Sequence, residues 1–235
     1  MNMFIRLSMM FWLGLLLGGC FCSPTTKFEY GNLHMNNNIT IQRKMYVDAN
    51  FTGTERKLIQ DAANNIEHAT KGIVKFDLVF NYDLSEEPDE VNGYTNKIVI
   101  RKLTSKSQIT QMIDEGINKE LSEENGGEDL QAYILGYTLK RPGFTYILIV
   151  SDRIVLEDKK NLDLDGFVSV VMHETLHSIG MSHDDTRRAI MNSQYEYTLA
   201  IITGVKQRPL MCLTETDLEN FCDLYICDPE KLNHC

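Results

Sequence analysis

Positive charge is scarce in this chain. Among 235 residues, 23 Lys and Arg stand against 33 Asp and Glu, a net charge of -10. A nucleic-acid partner would need a basic surface to meet its phosphates, so the composition speaks against that class. Long apolar runs are scarce too. The longest, roughly Leu7 to Gly19, is shorter than the about 20 residues of a comfortable membrane span. No C-x-x-C pair, internal repeat, low-complexity tract or interdomain linker is visible. What is left is an ordinary composition for a soluble globular protein, long enough for one sizeable domain with a real core.

The first 22 residues have the form of an export signal. Met1 to Arg6 carries one positive charge and no acid, the apolar run follows, and Leu17-Gly18-Gly19-Cys20 places small residues before a cut site. That ending resembles a bacterial lipobox, in which Cys20 would be lipidated and become the new N-terminus. A plain signal peptide with an incidental Cys20, or a retained anchor, stays open. The expected location is outside the cytoplasm: a membrane-anchored lipoprotein, or otherwise a secreted or periplasmic protein. Residues 23–38 read as a polar, Asn-rich tether, and residues 39–235 as the folded domain.

Of six cysteines, Cys212, Cys222, Cys227 and Cys235 crowd the C-terminal end. In an exported chain such a cluster reads as a disulfide staple with three alternative pairings. A second zinc site using these cysteines and His234 is the rival reading.

Periodicity predicts strands over Ile39–Val47, Ile73–Asn81, Lys97–Leu103, Gln131–Leu139 and Phe144–Ser151, the last two as a hairpin about Lys140-Arg141-Pro142-Gly143. Helices are expected over Thr52–Lys71, Ser105–Glu124, Asp163–Gly180 and Thr214–Ile226, with Thr214 and Asp217 in a capping-box pattern. Leu84–Gly93 is acidic and turn-rich. Strands mixed with helices imply a layered α/β protein.

The decisive stretch is Val171-Met172-His173-Glu174-Thr175-Leu176-His177-Ser178-Ile179-Gly180-Met181-Ser182-His183-Asp184. Helix positions four apart share a face, so His173 and His177 can point two imidazoles at one ion. Gly180 can take a positive φ without steric cost, ending the helix and turning the chain so that His183 reaches back as third ligand. Three protein ligands leave a fourth zinc position for water, and Glu174 stands where a general base for that water is needed. The flanking Phe167-Val168-Ser169-Val170-Val171 is mostly apolar, as a buried helix requires. Asp163-Leu164-Asp165-Gly166 lacks the spaced ligands of an EF-hand, so calcium finds no support; Asp163 or Asp165 reads as a helix N-cap. His34 and His68 read as surface residues.

The pattern H-E-x-x-H-x-x-G-x-x-H, followed by Met191 in Ala189-Ile190-Met191-Asn192, resembles the metzincin zinc metallopeptidases, and most nearly their matrixin-like subgroup. The His183–Met191 spacing, Tyr195 and Leu213-Thr214-Glu215-Thr216-Asp217-Leu218 carry the closer likeness. The resemblance implies an α/β (α+β) domain with a twisted mixed sheet of about five strands, a zinc-binding active-site helix and a C-terminal helix. It implies Met191 as the Met-turn floor beneath one catalytic Zn2+, and substrate bound along an edge strand, here Ala132–Leu139. Ser193 stands where some metzincins carry a zinc-binding Tyr, and Asp184 where matrixins usually have Ser. No cysteine-switch segment is visible, and Ser105–Glu124 and Thr198–Met211 look like insertions. The expected activity is hydrolysis of peptide or protein substrates with Glu174 as base. The alternative is an exported or surface-anchored zinc protein that binds without turnover.

Overall fold

Thr52 starts a helix because its hydroxyl accepts from the Glu55 amide while the Glu55 carboxylate accepts from the Thr52 amide, so two otherwise orphaned donors are satisfied. The helix, α1 (Gly53–Ala69), buries Leu58, Ile59, Ala62, Ala63, Ile66 and Ala69 at three- and four-residue steps. It ends at Gly72, which takes a φ of 75° and returns its amide to the Glu67 carbonyl. On either side run β1 (Ile41–Asp48) and β2 (Val74–Tyr82). The computed structural model describes residues 40–83, 97–103, 135–141, 144–156, 160–193 and 208–235. Cys20, His34, the tether, the 84–93 turn, the expected 105–124 helix, Tyr195 and most of the second expected insertion lie outside these residues.

Three further strands complete a five-stranded mixed sheet: β3 (Lys97–Leu103), β4 (Gly136–Arg141) and β5 (Phe144–Val150), in the order β2-β1-β3-β5-β4. All neighbours are parallel except β4, which runs antiparallel to β5 at the edge. β4 lies further along the chain than the sequence pattern suggested. Lys140 and Arg141 belong to the ladder, opposite Thr145 and Phe144, so only residues 142 and 143 connect the strands.

Alternation along the strands decides which face is covered. Met45, Val47, Ile98, Ile100, Ile147 and Ile149 join the core that includes α1 and α2 (Leu164–Ser178). Val99, Tyr137, Tyr146, Leu148 and Val150 form a separate cluster. From Gly166 to Ser178 every residue of α2 is buried, which fits its apolar N-terminal half. Asp163 is the N-cap, its carboxylate accepting from the Gly166 amide at 3.0 Å. Last comes α3 (Glu215–Tyr225), opened by the Thr214–Asp217 capping box. The fold is thus the mixed five-stranded α/β architecture expected.

The C-terminal cysteines are all paired, Cys212 with Cys235 and Cys222 with Cys227. A second metal site on these sulfurs and His234 is thereby ruled out, because a sulfur in a disulfide is no thiolate ligand. Sequence left three pairings open because spacing does not specify proximity. Here the end of the chain folds back, with the Cys235 amide on the Leu213 carbonyl and the Asn233 amide on the Ala69 carbonyl. His68 is exposed on α1, as expected.

Candidate metal centre and general base

The end of α2 builds the site. The Gly180 amide donates to the His177 carbonyl at 3.0 Å and the Met181 amide to the Leu176 carbonyl at 3.1 Å, with Gly180 at a φ of 111°. This is the Schellman arrangement, which reverses the chain only if one residue takes a left-handed conformation. The reversal brings the Met181 carbonyl onto His177 Nδ1 at 2.8 Å and sends the chain on to His183. His173 Nδ1 lies 2.7 Å from the Ile190 carbonyl.

A carbonyl oxygen only accepts, so both Nδ1 atoms carry the proton and each Nε2 presents a lone pair. The Nε2 atoms of His173, His177 and His183 lie 2.9, 3.1 and 3.2 Å from one another. Nitrogens held tetrahedrally at zinc's bond length stand about 3.3 Å apart. Lone pairs converging at this spacing repel unless a cation lies among them, so the donor set fits a zinc ion. Among the described residues this is the one His, Cys, Asp and Glu cluster with that geometry. Burial lowers the His173 pKa to about 4. Burial, joined by the neighbouring imidazoles, lowers His177 to about 2. His183 is shifted down as well, mainly by burial, with Asp185 opposing. All three are therefore neutral at pH 7, the state a metal ligand needs.

Residues 32–225 match the family model of the matrixins, the M10 peptidases. The chain belongs to the matrixin family. No curated protein matches it. Matrixins are zinc metallopeptidases, and the three-histidine cluster of this one fits a zinc site.

Glu174, next to His173 in this matrixin, is fully buried, and its Oε2 accepts from Thr138 Oγ1 at 2.7 Å. Met191 is also fully buried. It sits on a closed loop: its carbonyl accepts from the Asp184 amide at 2.9 Å, while Asn192 Nδ2 donates to the Asp184 carbonyl at 2.7 Å. Asp184 helps close this loop, accepting from Thr186 and from Asn220 of α3.

The sequence reading missed Asp217 in this role, having placed it only in a helix cap. It is fully buried, and its two carboxylate oxygens accept from the Ile190 and Met191 amides at 3.0 Å each. It therefore fixes the carbonyl that orients His173. No pattern signalled this, because the contact crosses 27 residues of chain. Thr138 and Gly136 on β4 were also passed over. Nothing in an edge strand's alternation says what its inner face will touch.

Proposed function

We propose that the chain is an active zinc endopeptidase. His173, His177 and His183 would hold the metal, with Glu174 as general base. The observation that carries this reading is the convergence of three neutral Nε2 atoms within 3.2 Å of one another, with Glu174 adjacent to the first in sequence. Zinc in such a site acidifies water to a pKa of about 7 and polarises a carbonyl. Glu174 accepts the proton of the attacking water and delivers it to the leaving amine. His173 and His177 keep their orientation through the Ile190 and Met181 carbonyls, so neither imidazole is free to take that proton instead. Met191 is the Met-turn residue in this reading, its buried side chain and its ties to Asp217 keeping the loop rigid.

The substrate is a peptide or protein, taken up as an added strand along β4. Among the described residues that strand has only β5 as a neighbour in the sheet, and it packs against α2, which supports the placement. Export is part of the proposal. Two disulfides suit an oxidising compartment, and the Leu17-Gly18-Gly19-Cys20 ending suits a lipid anchor at Cys20. Mass spectrometry of the mature N-terminus tests the anchor.

The test of function is cleavage of a peptide library by the zinc-loaded protein, with and without chelator, and with Glu174→Ala as control. Cleavage that needs both zinc and Glu174 supports the proposal. A protein that retains zinc and cleaves nothing is a binding protein, and the endopeptidase reading falls.

A further inference from the structure

We propose that Thr138 is a positioning residue for the general base, holding the Glu174 carboxylate against the edge strand; this rests on the peptidase reading above. Two neighbouring positions on the same face of β4 bracket the Glu174 side chain. At Gly136 a Cβ would lie 2.8 Å from Glu174 Cγ, 2.9 Å from its Oε1 and 2.9 Å from Val170 Cγ1. The strand thus leaves room there for the glutamate to lie along it, and only a glycine does so without displacing Glu174 or Val170. Two residues on, Thr138 supplies the anchor. Its hydroxyl is 2.7 Å from Glu174 Oε2 and 2.8 Å from the Glu174 carbonyl oxygen, and the residue is 7% exposed.

A hydroxyl has one proton to donate, and here it faces two acceptors. The carboxylate is the stronger because it is charged. The carbonyl is second. When Glu174 holds the proton it has taken from water on its other oxygen, Oε2 keeps a lone pair and Thr138 keeps donating to it. The hydroxyl therefore stays hydrogen-bonded through both halves of the proton transfer, and the base never needs to swing. Because Thr138 lies on the strand proposed to take up substrate, the same rigid strand sets the register of the peptide and the direction of the carboxylate.

Packing alone would make the methyl group of Thr138 the important part; positioning makes it the hydroxyl. Thr138→Val keeps the shape and removes the hydroxyl, whereas Thr138→Ser keeps the hydroxyl and removes the methyl. In the zinc-loaded full chain, Thr138→Val should lower kcat by about 10- to 100-fold, the usual cost of losing a partner one step from the chemistry. KM and zinc content should stay near the wild type. Thr138→Ser should recover most of kcat. Carbonyl 13C NMR of labelled glutamate adds a readout apart from turnover. The Glu174 resonance, identified by its loss in Glu174→Ala, should move in Thr138→Val and stay in Thr138→Ser. Full kcat in Thr138→Val, or a Ser variant as slow as the Val variant, overturns the proposal. A wild-type protein that cleaves nothing sinks the peptidase reading instead, and an unmoved Glu174 resonance in Thr138→Val then still refutes the contact.

Discussion

From Ile41 to Val150, apolar side chains hold the described chain together. Ile59, Ile66, Ile100, Ile147 and Ile149 are all essentially inaccessible, and each contributes on the order of 1.5–3 kcal/mol by leaving water. From Ile179 to Cys235 the described chain has one α-helix of 11 residues, a short 3-10 helix at Pro229–Lys231 and no strand. There Ile190, Met191, Leu213, Leu218 and Phe221 join the same core, and the backbone is held in addition by side-chain carboxylates and amides, by two disulfides, and by three points at which α3 grips the metal loop. Tyr225 donates to the Ile179 carbonyl, Asn220 to Asp184, and Asp217 accepts from Ile190 and Met191. Hydrophobic burial is not directional, whereas hydrogen bonds are. The first region thus provides a platform, and the second fixes angles. Damage to each should read out differently.

The sharpest way to break this contrast is at the metal centre. His177→Ala should lose both zinc and cleavage, while Glu174→Ala should keep zinc and lose activity by about 100- to 10,000-fold, the usual contribution of a general base. Zinc content by atomic absorption beside turnover distinguishes them. If Glu174→Ala also released the metal, the carboxylate would belong to the binding set and not to the chemistry.

Asp217→Ala comes next. It would leave the Ile190, Met191 and Thr214 amides, at 3.0, 3.0 and 2.9 Å from the carboxylate, without that acceptor. At about 1–3 kcal/mol for each buried amide orphaned, partly relieved by water, a loss of about 3–5 kcal/mol is expected in denaturant melts. Zinc affinity should fall as well, because the Ile190 carbonyl would no longer hold His173. A stability loss without any change in zinc affinity would show that α3 does not set the geometry of the site.

Acid should separate the regions in the metal-free protein. His173 has a folded pKa of about 4 against an ordinary 6.5. Below pH 6.5 the unfolded chain takes up a proton that the folded chain resists. Stability is therefore full above about 6.5 and falls as pH drops towards 4, by about 3 kcal/mol for this group alone. Glu55 lies in the platform. Burial works against its charge, but hydrogen bonds from Lys102 and Thr52 outweigh this and lower its pKa from 4.5. Its contribution is present above 4.5 and is lost only as pH falls further. Urea midpoints at pH 7.5, 5.5 and 4.5 should show the first loss, and His173→Asn should remove part of it, with His177 and His183 keeping the rest. An equal slope in that variant would place the acid sensitivity elsewhere.

The same division explains what could be read from sequence. Strands and α1 follow apolar periods, so their positions were legible to within a residue or two, as was the metal motif, because His173, His177, Gly180 and His183 lie on one helix and its turn. β4 was displaced because its last rungs, Lys140 and Arg141, are polar and the apolar pattern does not mark them. Disulfide pairing, the reach of Asp217 to the Met191 loop and the contact of Thr138 with Glu174 were not legible. Apart from the local Cys222–Cys227 pair, each joins residues brought together by the packing of α3 or β4, and a polar residue carries no period that announces its partner.

The smallest expected effect gives the cleanest comparison, because the molecule contains the same local device twice. Thr52 and Thr214 each cap a helix, with Glu55 and Asp217 completing the box. Replacing either threonine with alanine should cost about 1 kcal/mol in denaturant melts, since each leaves a similar amide without its hydroxyl acceptor. The partners differ, however. Glu55 is engaged with Lys102 at 2.8 Å, far from the histidines in the chain. Asp217 Oδ2 takes the Thr214 hydroxyl at 2.8 Å and the Ile190 amide at 3.0 Å on the same oxygen. Removing the hydroxyl frees that oxygen to rotate, and the Ile190 carbonyl behind His173 shifts with it. Thr52→Ala should leave zinc affinity unchanged, and Thr214→Ala should weaken it by a few-fold, roughly the scale of one lost hydrogen bond. Equal zinc affinities by competition with a chelator would mean that the two caps are interchangeable, and that the metal loop draws its rigidity from the disulfides instead.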